Sequence, residues 1–173
     1  MADDSDINAT AASVLGFLGI GPMTGWDLND FAQISVGNFW SMTRSQIYRE
    51  LRTLEEKGLV EGEDTGFRDQ RRFSLTDTGR ARLREWLREP PGPEINRNPF
   101  LVKLFFSGEL PPREVARLVA SARQLHEEHV ARYEEVLPMA EELSPFAAAT
   151  ARYGIAVEKA ILAWFDEEPW RRA

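Results

Sequence analysis

Three features of the 173-residue chain predict a mainly α fold. It has an N-terminal winged helix-turn-helix with a small β-hairpin wing, followed by a C-terminal helical dimerisation domain. The first feature is a segment from Thr43 to Lys57 whose apolar and polar residues separate onto two faces at about 100° per residue. The second is a pair of short strand-like runs joined by an arginine-rich turn. The third is two long stretches after Pro112 in which apolar residues recur three or four apart. The expected division is an acidic tail at 1–8, the winged helix at 9–89, a linker at 90–98 and the helical domain at 99–173.

In chain order, Ala11 to Ile20 is apolar almost throughout, and Gly21-Pro22 stops it. Thr24 with Asp27 three residues on is a capping pattern, starting a helix from about Gly25 to Val36 that buries Leu28, Phe31 and Ala32. Gly37-Asn38 turns the chain. Thr43 with Gln46 repeats the capping pattern and opens the next helix, with Ile47, Leu51 and Leu54 on the docking stripe. Ser45, Tyr48, Arg49 and Arg52 gather on the opposite side. Gly58 ends this helix, with Lys57 in its last turn. Leu59 to Glu63 and Arg72 to Leu75 read as paired strands about a turn at Thr65 to Gln70. Thr76-Asp77-Thr78-Gly79 then caps a helix to about Arg88, with Leu83, Trp86 and Leu87 facing inward. Pro90-Pro91-Gly92-Pro93 closes the unit.

Surface arginines usually belong to a solvated face. What assigns these to recognition is co-location, since the helix face and the hairpin arginines Arg68, Arg71 and Arg72 would lie side by side in a winged helix. Cationic groups there can reach phosphates or the minor groove while the helix reads the major groove. Glu50 falls off the reading face, and Glu56 lies at the helix end directed away from DNA. The formal charge of -7 runs against a DNA binder. Acidic residues are expected to concentrate at the N-terminus and along the C-terminal helices, leaving a local basic patch and a strongly salt-sensitive interaction.

These residues resemble the PadR-like transcriptional regulators. The resemblance is carried by Val14-Leu15-Gly16-Phe17-Leu18, by Gly21 to Leu28, by Phe39-Trp40-Ser41, by Ser45 to Val60, and by Phe73 to Arg80. It implies a dimeric, cytoplasmic winged-helix protein, usually a repressor, in a family where some members release DNA on binding small effectors such as phenolic acids. It also implies that Tyr48 contacts the DNA backbone and that Thr43 to Arg52 enters the major groove. The candidate DNA contacts are Thr24, Thr43, Arg44, Ser45, Gln46, Tyr48, Arg49, Arg52, Arg68, Arg71 and Arg72. Two departures stand out: Trp26 replaces a common tyrosine, and the wing carries Gly66-Phe67-Arg68-Asp69-Gln70 in place of a Gly-Arg-Pro sequence.

The second half resembles the larger PadR subgroup, with an added helical domain. Pro99 to Phe106 reads as a short apolar helix opened by proline. Pro112 to Leu143 forms an amphipathic helix of about 45 Å. A second, from about Phe146 to Phe165, carries Phe146, Thr150, Tyr153, Val157, Ile161 and Trp164 in a stripe. Such a hairpin packs against its twin or forms an intramolecular bundle, and dimerisation is preferred because little else remains to bury the stripes. Leu118, Leu125, Tyr133, Val136, Tyr153, Val157, Ile161 and Trp164 are the candidate dimerisation residues. A two-fold dimer predicts an inverted-repeat operator with half-sites about 34 Å apart. Phe39, Trp40, Phe105, Tyr153 and Trp164 are candidates for an aromatic effector pocket between the domains, although for most of them ordinary core packing is preferred.

Other classes fare poorly. The chain has no cysteine, so neither disulfides nor thiol chemistry enter. Asp3, Asp4 and Asp6 make its start unlike a signal or transit peptide, and the apolar run near residue 100 is too short for a bilayer, so a cytoplasmic location without membrane contact is expected. His126 and His129 have a spacing that could clip a metal ion, but a third ligand would have to come from elsewhere. They read as a solvated or packed pair, with no metal and no cofactor expected. There is no phosphate-cradling glycine loop, and Ser41, Ser45 and Ser74 lack an evident base, so no enzyme is expected. The competing functional reading is a dimeric winged-helix module that binds a protein and no longer engages DNA.

Overall fold

Helix starts supplied by the sequence organise the first unit, Met1–Gly92. The computed structural model describes residues 7–37, 39–66, 71–92 and 97–167. α1 (Ala9–Ile20) begins two residues before the expected start because Asn8 caps it, its Oδ1 accepting from the Ala11 N–H at 2.9 Å. A two-residue strand, β1 (Met23–Thr24), leads into α2 (Gly25–Ser35), and α3 (Arg44–Glu56) follows. Both helices open with complete capping boxes at Thr24/Asp27 and Thr43/Gln46. α3 ends in a Schellman arrangement: Gly58 has φ 68°, its N–H donates to the Glu55 carbonyl, and the Leu59 N–H donates to the Leu54 carbonyl, both at 2.9 Å.

The wing comprises β2 (Val60–Asp64) and β3 (Arg71–Leu75), antiparallel with Gly62 opposite Phe73 and Asp64 opposite Arg71. β1 joins as a third strand on the other side of β3, Met23 facing Phe73 and Thr24 facing Arg72. The sheet order β1-β3-β2 thereby ties the start of α2 to the wing. α4 (Asp77–Trp86) is capped by the Thr76 hydroxyl, which accepts from the Gly79 N–H at 3.0 Å. Gly79 lets α4 approach so closely that a Cβ there would lie 2.0 Å from the Leu59 carbonyl oxygen.

The stripe read from sequence closes the core: Leu15, Leu28 and Ile47 are fully buried, and Leu51 and Leu54 nearly so. Each such burial contributes about 1.5–3 kcal/mol. Leu83 and Trp86 pack against this core, but Leu87 does not. It is the C-cap of α4 and 64% exposed, although its backbone is still helical and its N–H donates to the Leu83 carbonyl at 3.0 Å.

The second unit, Pro93–Ala173, has three α-helices among its described residues. α5 (Pro99–Phe105) is capped by Asn98, whose Oδ1 accepts from the Phe100 and Leu101 N–H groups. α6 (Pro112–Leu143) and α7 (Pro145–Glu167) form an antiparallel hairpin hinged at Ser144. Val119, Tyr133 and Ala140 of α6 are buried, as are Ala148, Ala151, Gly154 and Phe165 of α7. Small residues permit the close approach; a Cβ at Gly154 would lie 2.3 Å from the Tyr133 ring. Tyr133, a candidate dimerisation residue, is therefore 5% exposed inside the hairpin, where it joins the two helices. That burial, with the neighbouring Glu158 charge, pushes its hydroxyl pKa up. Leu125, Tyr153 and Val157 do lie outward, exposed on the paired helices, while Leu118, Val136, Ile161 and Trp164 are half-buried.

Candidate nucleic-acid interface

α3 presents the face that its sequence implies. Thr43, Arg44, Ser45, Tyr48, Arg49 and Arg52 are exposed, Gln46 is half-buried, and Ile47, Glu50, Leu51 and Leu54 are buried beneath. Glu50 is only 8% exposed, with the Arg49 guanidinium 3.6 Å from its carboxylate. An open cleft of about 510 Å³ runs alongside, lined by Thr24, Trp26, Arg44, Tyr48, Arg52 and Arg71 among others. The Arg44 guanidinium lies over the Tyr48 ring, 5.6 Å from its centroid. Tyr48 rests on the start of α2, where a Cβ at Gly25 would come within 2.7 Å of its ring. Trp26, 54% exposed in the same cleft, was not singled out as a contact from sequence, and no spacing rule would have marked it.

Capping consumes part of the polar inventory. The Thr24 hydroxyl accepts from the Asp27 N–H and donates to the Asp27 carboxylate, and the Thr43 hydroxyl is used in the same way with Gln46. Hydrogen bonds from the Thr24 N–H and hydroxyl hold the Asp27 carboxyl below its ordinary value, with a smaller contribution from the Arg72 charge. Gln46 Oε1 accepts from the Thr43 N–H at 2.8 Å, so the side-chain NH2 is its remaining donor.

The wing arginines separate into different roles. Arg68 lies outside the described residues. Arg72 is exposed on β3, opposite Glu63 and Thr24. Arg71, expected to reach a phosphate, instead clamps the wing to α3. It donates to both Glu55 carboxylate oxygens and to the Gly62 carbonyl, each at 2.7 Å, and lies 3.5 Å from Asp64. The Gly62 N–H donates back to Glu55 at 3.2 Å. This pairing holds the Glu55 carboxyl below the usual carboxylate range. The partner of Glu55 stands sixteen residues further on, out of reach of any short-range sequence pattern.

The proposed effector residues are placed within their own units. Phe39 and Trp40 are exposed after α2. Phe105 is 82% exposed and meets Phe106 edge-on, and Tyr153 is exposed on α7. Trp164 belongs to a ring cluster with Phe100 and Phe165, at centroid distances of 6.4 and 5.0 Å. His126 and His129 are not merely a pair, since α7 supplies a third group, Glu158. Among the described residues no helix is long and apolar enough to cross a membrane.

A capped helix with an exposed cationic face, held beside a three-stranded wing, defines a winged helix-turn-helix DNA-binding regulator. Residues 14–85 match the PadR-like transcriptional regulator family, and residues 96–168 match the virulence activator alpha C-terminal family. The negative transcriptional regulator PadR of Bacillus subtilis is 31% identical over 140 residues, covering 76% of this chain and 77% of its own. The chain belongs to the PadR-like family of transcriptional regulators, whose members are not enzymes. The crystal structure of Bacillus subtilis PadR in complex with operator DNA superposes with a TM-score of 0.74 at 27% identity, covering 92% of this chain and 96% of that one. Bacillus subtilis PadR in complex with p-coumaric acid gives a TM-score of 0.60 at 27% identity, covering 92% and 100%.

Proposed function

We propose that this regulator is a homodimeric cytoplasmic repressor that reads an inverted-repeat operator through α3 and releases it on binding a small aromatic effector. The observation that carries the DNA-reading part is the solvent face of α3, on which Arg44, Ser45, Tyr48, Arg49 and Arg52 stand together, with Arg72 exposed on β3. Arg44, Arg52 and Arg72 have no ion-pair partner among the described residues, so their charges are available to phosphates or base edges. Repression and release are supported by the relative named a negative regulator and by the relative crystallised with p-coumaric acid. Two-fold assembly is supported by the apolar side chains left exposed on the second unit, including Phe105, Phe106, Leu125, Phe146 and Tyr153. Family membership weighs against the reading as a protein-binding module that no longer engages DNA.

The test is fluorescence anisotropy of the purified protein with labelled DNA from upstream of its own gene and with scrambled DNA, at two salt concentrations. Tight binding to the upstream fragment with a margin over scrambled DNA, weakened by added phenolic acids, is the expected result. Absence of binding to any duplex at moderate salt would return weight to the protein-partner reading.

A further inference from the structure

His126 and His129 stand one turn apart on α6, and Glu158 of α7 reaches between them. Its Oε2 lies 2.5 Å from His126 Nδ1, and its Oε1 lies 3.0 Å from His129 Nδ1. One donor atom from each of the three side chains falls within 4.8 Å of the others. The side chains are 15%, 23% and 13% exposed, held by packing yet reachable by a small ion. Phe165, 2% exposed, backs the His126 ring at 5.9 Å. Two imidazoles and one carboxylate, drawn from two helices, converge without any role in DNA reading.

Two histidines and a carboxylate are the donor set of three-ligand zinc sites, in which the fourth position is left to water or another ligand. Imidazole donors disfavour magnesium and calcium, which take oxygen ligands. Zinc bonds of about 2.0–2.1 Å in a tetrahedral site set donors about 3.3 Å apart. Glu158 already stands 2.5 and 3.0 Å from the two Nδ1 atoms, and one donor atom from each side chain lies within 4.8 Å of the others, so the donors are gathered before any ion arrives. From this geometry we propose that His126, His129 and Glu158 form a zinc-binding site that staples α6 to α7. The chain has no cysteine and only these two histidines, so imidazole or thiolate binding of a transition metal has no other place on it.

The test uses the tag-free full-length protein, stripped with a chelator and titrated with Co2+ as a spectroscopic probe and then with Zn2+. One Co2+ per chain, with the visible absorption bands of a four-coordinate site that Zn2+ abolishes, is expected. Zn2+ should also raise the melting temperature, as any ligand specific to the folded state does. In the wild-type protein, Zn2+ should shift the imidazole NMR signals of both histidines. Glu158→Gln should weaken binding of both ions by about a hundredfold or more. A wild-type protein that shows neither bands nor histidine shifts overturns the site and leaves a hydrogen-bonded triad. Unchanged affinity and spectrum in a folded Glu158→Gln protein overturns it equally. The wild-type measurements decide the matter even if that variant does not fold, and none of them depends on DNA binding.

Discussion

Arg71 and Glu55 show how a charge that reads as a DNA contact can instead hold the reader in shape. The guanidinium spans Glu55 on α3 and the Gly62 carbonyl on β2, so the wing is pinned to the recognition helix by a bidentate pair. Arg71→Ala and Glu55→Ala are therefore expected to weaken operator binding by similar factors with little change in its salt dependence. A salt slope reduced by about 0.9 in Arg71→Ala alone would assign Arg71 to a phosphate instead. The same pair gives a pH dependence. Glu55 titrates below its ordinary value of 4.5 in the folded chain, so its pairing contributes fully above that value and is lost as pH falls through the lower folded one. The protection factor of the Gly62 amide should drop in that acid window, and Glu55→Ala should remove the pH dependence of that protection. Tyr48 offers a separate handle. A Cβ at Gly25 collides with its ring, and the ring is exposed enough to swing away. Gly25→Ala should thus leave stability within about 1 kcal/mol while lowering operator affinity about tenfold, the equivalent of one charged hydrogen bond.

At the scale of elements, helix boundaries follow local chemistry and helix pairing follows side-chain size. Thr24, Thr43 and Thr76 each start a helix by accepting from a backbone N–H three residues on. Such caps need no distant partner, which is why the starts of α2, α3 and α4 were legible. β1 was not, because two residues carry no alternation and its partner Phe73 lies fifty positions away. Between α6 and α7 the determining feature is the absence of a side chain at Gly154, over which Tyr133 lies. Gly154→Ala overpacks this contact and should cost about 1–3 kcal/mol by urea denaturation of the full chain. Retained stability in that variant would show that Tyr133 can leave the hairpin without penalty.

For the whole molecule, the acidic balance and the exposed apolar residues bear on assembly and on affinity. A net charge of -7 repels DNA, so in the proposed reading binding rests on the local cationic face of α3, whose phosphate contacts make affinity fall steeply with added salt. Val157 and Tyr153 lie outward on α7, and a charge there meets water in a monomer but apolar surface in a two-fold assembly. If the proposed homodimer forms through this face, Val157→Glu shifts it to monomer in sedimentation at low concentration. It should also reduce operator affinity sharply, since two linked heads bind with a high effective concentration. A variant that remains dimeric would place the partner surface elsewhere.

The sequence by itself determined the caps, the apolar stripes, the two faces of α3 and the motifs that carry the family resemblance, all of which follow from local chemistry or short periodicity. Only the tertiary structure decided which charges are spent inside the fold. The wing position of Arg71 offers it to a phosphate, but Glu55 holds it, and the α6 stripe offers Tyr133 for dimerisation, but Gly154 makes room for it inside the hairpin. His126 and His129 lacked a third group until the hairpin brought Glu158 to them from more than two dozen residues away. In each case the partner is remote in the chain, and periodicity reports which face a residue is on but not what will be packed against it.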